Sequence, residues 1–70
     1  MAKTEKQSAK RILNVLRDRG VKQNKDGQLI WLVEPFKRHP WTLKDLKSGL
    51  IYALDHDWIR SKEKRITRLQ

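Results

Sequence analysis

Seventy residues carry 17 Lys and Arg against 8 Asp and Glu, a formal net charge of +9, with two His and no Cys. That length suits one domain with a small core; the lack of Cys excludes disulfides and thiolate metal sites, and the spacing of His39 and His56 matches no zinc motif, so neither metal nor cofactor is expected. The longest near-apolar run, residues 29–33, is far too short to span a bilayer, and the opening MAKTEKQSAK lacks the apolar stretch of a secretory leader, so residues 1–70 are expected to form a single cytoplasmic domain.

The first helix is signalled by Thr4 as N-cap, with Gln7 three residues later in capping-box spacing. Ala9, Ile12, Leu13 and Leu16 then recur on one face, and Gly20 suits the position just past the helix end. Lys3, Lys10 and Arg17 lie seven apart, with Lys6 close by, and make a cationic stripe. The stripe reads either as a solvated face or as a rail for phosphates. Residues 24–27 are a strong turn signal. They close a hairpin between residues 21–23 and 28–30, or they form a loop leading into a second helix.

Residues 29–33 fit a buried strand by length and a helix by the shared face of Leu29, Val33 and Phe36. The pattern favours a short helix over residues 28–38, starting or restarting near Glu34 because Pro35 suits a first turn. Pro40 drives His39 toward extended backbone and closes the segment. Thr42 as N-cap and Asp45 at N3 open a third helix running to about residue 56, with Leu43, Leu46, Leu50, Ala53 and Leu54 as its apolar face. Asp55 and Asp57 stand at the end of the helix where the dipole disfavours acids. Residues 58–60 and 65–69 read as two strands around a basic turn at 61–64. The fold class is therefore mainly α with a small C-terminal β-hairpin, a winged-helix-like three-helix domain. The alternative is α+β with an extra hairpin at 21–33.

Charge is unevenly placed. Residues 1–25 hold eight bases and two acids, net +6; residues 26–41 balance; residues 42–57 are net −1; residues 58–70 hold five bases and one acid, net +4. Two basic ends flank a nearly neutral middle, which points to a polyanionic partner.

The stretch TLKDLKSGLIYALDHDWIRSKEKRITRL, residues 42–69, resembles the last helix, first wing strand, wing and second wing strand of winged helix-turn-helix DNA-binding domains. There an "aL..GWI" helix ending leads into a basic wing and a closing R-x-x-L strand; here Asp57 stands where Gly is usual. The remainder of the chain is similar only in element order, and residues 21–41 spell no standard second helix and tight turn. The resemblance implies a helix 43–56 in the major groove and a basic wing on phosphates or the minor groove. Lys44, Lys47 and Ser48 are then the candidate base contacts, with Ile51 on the same flank. Tyr52 is a candidate phosphate contact, and Arg60, Lys62, Lys64, Arg65 and Arg68 supply the wing.

No Gly-rich phosphate loop, GxSxG or Cys nucleophile is present, and Asp55-His56-Asp57 is the one acid–His cluster. Sequence neighbours diverge around a helix, so that cluster is no triad. Trp31, Trp41 and Trp58 read as core anchors, Trp41 being the best candidate for exposure. The expectation is a small non-catalytic DNA-binding regulator or accessory factor, with a possible homodimer and no membrane or small-molecule partner. An RNA-binding or ribosome-associated factor shares the charge pattern. A protein-interaction module is the other alternative, and it would expose an apolar patch around Trp31, Phe36 and Trp41.

Overall fold

Local chemistry at each end of the first helix fixes its limits. The computed structural model describes residues 4–70, and α1 spans Glu5–Asp18. The Thr4 hydroxyl accepts from the Gln7 amide at 3.1 Å, and the Gln7 side chain accepts from the Thr4 amide at 2.9 Å, completing the capping box. At the other end Gly20 takes φ +83°. The Val21 amide donates to the Leu16 carbonyl and the Gly20 amide to the Arg17 carbonyl, each at 2.9 Å. This paired arrangement is the Schellman motif, and Val21 at its end is buried.

The hairpin considered for 21–33 does not form. Asn24, at φ 66°, turns the chain, and β1 (Asp26–Gln28) pairs antiparallel with a strand at the C-terminus. Gly27 makes this possible. A Cβ there would come within 2.9 Å of Leu16 and 3.1 Å of Val21, so only a bare backbone fits over α1.

α2 follows as Ile30–Lys37, inside the expected 28–38, with Leu32 and Phe36 fully buried one turn apart. It does not restart at Glu34. The helix runs through Pro35, whose missing N–H removes one internal bond. From α1, the Arg11 guanidinium donates to the Pro35 carbonyl at 3.1 Å. A cis His39–Pro40 peptide then turns the chain toward α3.

α3 (Leu43–Asp55) carries the second capping box: the Asp45 amide donates to the Thr42 hydroxyl at 3.2 Å, and the Thr42 amide to the Asp45 carboxylate at 3.0 Å. Its end repeats the Schellman geometry, with Trp58 N–H on the Ala53 carbonyl and Asp57 N–H on the Leu54 carbonyl. Asp57 therefore occupies the left-handed position at φ 56°, which Asp tolerates better than most residues. That accounts for an acid at the unfavourable end of the helix dipole.

The apolar face expected on α3 is rotated in the structure. Leu46, Gly49 and Ala53 are buried, whereas Leu43 is 50% and Leu54 41% exposed. The cause is the crossing with α1. A Cβ on Gly49 would lie 2.7 Å from the Ser8 carbonyl carbon and 2.9 Å from the Ala9 amide nitrogen. The backbones touch there, and this close approach points Gly49 rather than Leu50 at α1.

β2 (Ile59–Lys62) and β3 (Arg65–Arg68) close the chain as a hairpin. Ser61 and Lys62 belong to the strand, so the turn is only Glu63-Lys64, shorter than the expected 61–64. Glu63 adopts φ 56° there. The antiparallel sheet has the order β1-β3-β2, with Gly27 opposite Ile66 and Ser61 opposite Ile66 on the other side. Ile59 and Ile66 face inward and complete one core with Ile12, Leu16, Leu32, Phe36 and Ala53. The result is three helices with a small sheet, in the order α1-β1-α2-α3-β2-β3, a winged-helix-like layout. No helix among the described residues is long and apolar enough to cross a membrane.

Candidate nucleic-acid interface

The hairpin sorts its residues by strand parity. Arg60 stands opposite Thr67 and Lys62 opposite Arg65, so these four share the outer face, and Asp26 and Gln28 of β1 extend it. Arg60, Lys62 and Arg65 are all exposed, and Lys64 is exposed in the turn. Arg60, Lys62 and Arg65 border a trough of about 520 Å³ with Asp26, Glu63 and Thr67. The Thr67 hydroxyl donates to the Asp26 carboxylate at 2.6 Å, so that acid, on the edge strand β1, lines the same trough as the bases.

Arg68 belongs elsewhere. It has the parity of Ile66 and Ile59, faces the inner side of the sheet and is half-buried. Its guanidinium donates to the Val21 carbonyl at 2.9 Å and, through Nε, to the Gln70 carbonyl. Arg68 thus ties the last strand to the end of α1, and the outer hairpin face lacks it.

On α3, Lys44 and Lys47 are exposed and Ser48 is half-buried on the flank. At about 100° per residue, Leu43, Lys44, Lys47, Ile51 and Leu54 share roughly 100° of arc on the solvent side. That arc opposes the buried Leu46, Gly49 and Ala53. Tyr52 lies off this face. Its ring stacks on His56 with centroids 3.9 Å apart and planes at 11°, and meets Trp58 edge-on at 5.3 Å. The His56 Nδ1 also lies 3.1 Å from the Tyr52 carbonyl oxygen. This cluster fixes the corner where α3 enters β2.

The cationic stripe of α1 forms a second surface. Lys6, Lys10 and Arg17 are exposed, and Lys3 lies outside the described residues. The stripe sits on the side of α1 opposite Ile12 and Leu16, while Ser8 and Ala9 meet α3. The basic N-terminal region therefore does not merge with the outer face of α3. Lys10 alone approaches the segment entering α3. It borders a groove of about 410 Å³ with Gln7, Asn14, Pro40 and Trp41.

Two features escaped the sequence reading. One is Arg11, which is partly buried beneath the α2–α3 turn, 4.8 Å from the Trp41 ring centroid and 5.7 Å from that of Phe36. Its position beside the apolar stripe of α1 was the available signal. The other is the exposure of Leu43 and Leu54. Of the residues expected to form an exposed apolar patch, Phe36 is fully buried and Trp31 and Trp41 are half-buried; Trp58 is half-buried too. Arg19 covers Trp31 at 5.5 Å, and Phe36 meets Trp41 edge-on at 5.4 Å. Among the described residues no three His, Cys, Asp or Glu side chains gather as a metal site requires.

Compared with protein-family models, with curated proteins and with solved structures, the chain matches none.

Proposed function

We propose that this protein binds double-stranded DNA without catalysis, as a small regulator or accessory factor. In this reading α3 enters the major groove and the β2–β3 hairpin lies along phosphates or the minor groove. The observation that carries it is the outer hairpin face just past α3, where Arg60 and Lys62 of β2 share one face with Arg65 of β3. A sheet holds the backbone under such side chains in fixed register, so meeting a phosphate row orders side chains without also having to order the backbone. Lys44 and Lys47 add positive charge on the solvent side of α3, and the similarity to winged helix-turn-helix domains points the same way. One α3 reads one half-site, so a long target site is met by two adjacent copies.

In this reading six exposed bases meet the duplex: Lys44, Lys47, Arg60, Lys62, Lys64 and Arg65. If each releases one counterion, log K against log salt has a slope of about −5 on duplex DNA. Fluorescence anisotropy with a random duplex across a salt series measures it. A slope flatter than about −2 contradicts the proposal. Duplex RNA competes poorly in the same assay, because its narrow, deep major groove does not admit a helix.

A further inference from the structure

Four large hydrophobic side chains are exposed among the described residues: Ile30, Leu43, Ile51 and Leu54. A single exposed apolar residue such as Ile30 is ordinary. The other three share the outer face of one helix, at 50%, 49% and 41% exposure, on the arc that also carries Lys44 and Lys47. Leu43 and Ile51 are about 12 Å apart along the axis, comparable to the width of a B-DNA major groove.

We propose that this face reads thymine methyl groups, with Ile51 as the specificity-determining residue and Leu43 and Leu54 on either side of it. The inference rests on the DNA-binding reading and adds the base chemistry to it. Thymine C5-methyls are the apolar groups a major groove offers, and side chains that cover them exclude water as a small core does. Charge selects this occupant over a second copy of the chain. Lys44 and Lys47 are interleaved with the apolar residues, and each chain carries +9, so self-association on this face brings like charges together around the contact. In a groove the same two lysines meet phosphates or guanine acceptors while Ile51 meets methyls. RNA carries uracil in place of thymine, so the face also favours DNA.

The test compares alternating dA·dT polymer with dA·dU polymer, which differ by the methyl, at fixed salt. It adds dG·dC polymer with and without 5-methylcytosine. Wild-type protein is expected to bind the methylated member of each pair more tightly, by roughly fourfold for each methyl covered. Ile51→Ala brings the ratio toward one, and Leu54→Ala lowers it less. Equal binding of both members by wild type overturns the inference while leaving the DNA-binding reading intact. A preference left undiminished by Ile51→Ala, and also by Ile51→Ala with Leu43→Ala and Leu54→Ala, comes from duplex shape and overturns it as well. Binding to none of the polymers removes both readings together. Concentration-dependent dimerisation abolished by Ile51→Lys, with both members bound alike, assigns the face to a second copy instead.

Discussion

The two basic regions of this chain differ in what surrounds the charge. On α1, Lys6, Lys10 and Arg17 stand on a solvated helix side, turned away from the crossing with α3. On the hairpin, Arg60, Lys62 and Arg65 share one sheet face that begins three residues past α3, whose own outer face mixes lysines with exposed Leu43, Ile51 and Leu54. The N-terminal region has the larger net charge, +6 over residues 1–25 against +4 over residues 58–70. The smaller charge nevertheless sits on the better-defined surface. Net charge alone does not show which surface carries it; the side of each element does.

Removing the hairpin bases should have the largest effect. The triple variant Arg60→Ala, Lys62→Ala, Arg65→Ala is expected to lose roughly 500-fold in duplex affinity near 0.1 M salt, at about 0.9 decade per phosphate contact. The salt slope should flatten by about 3, and anisotropy reads both quantities. Next comes Gly49→Ala, which tests whether α1 and α3 cross closely enough to hold the two regions apart. Its Cβ meets the Ser8 backbone at 2.7 Å, so a loss of about 2 kcal/mol in urea unfolding is expected. A neutral result would mean that the helices do not cross in this way.

Arg68→Met separates structure from binding within the hairpin itself. It removes the bond to the Val21 carbonyl and is expected to lower stability by about 1 kcal/mol while leaving the salt slope unchanged. A flatter slope would return Arg68 to the binding face. The smallest effect is expected for Lys6→Gln, Lys10→Gln, Arg17→Gln, which acts through a screened long-range field and should weaken duplex binding by less than about threefold. A loss equal to that of the hairpin triple would erase the distinction between the regions.

α1 and α3 were legible because their start and stop signals are local. Thr4 with Gln7 and Thr42 with Asp45 satisfy backbone groups within one turn, and Gly20 ends α1 by its own conformational freedom. β1 was not legible. Asp26–Gln28 has little strand propensity, and its pairing partner Ile66 lies far along the chain from Gly27. The facing of α3 was misread for a related reason. Periodicity centres the apolar stripe near Leu50, but the absent side chain of Gly49 lets α1 approach and turns Leu43 and Leu54 outward. The site was half legible. Strand parity alone puts Arg60, Lys62 and Arg65 on a different face from Arg68, but only once the two-residue turn at Glu63-Lys64 fixes the register.

The most direct test of the central claim is a backbone chemical-shift titration with random duplex DNA at low salt. Binding through α3 and the outer hairpin predicts perturbations concentrated at Lys44, Lys47, Ser48 and Ile51 and from Arg60 to Arg65, with Lys6 and Arg17 little changed. Perturbations confined to Lys6, Lys10 and Arg17 would contradict it.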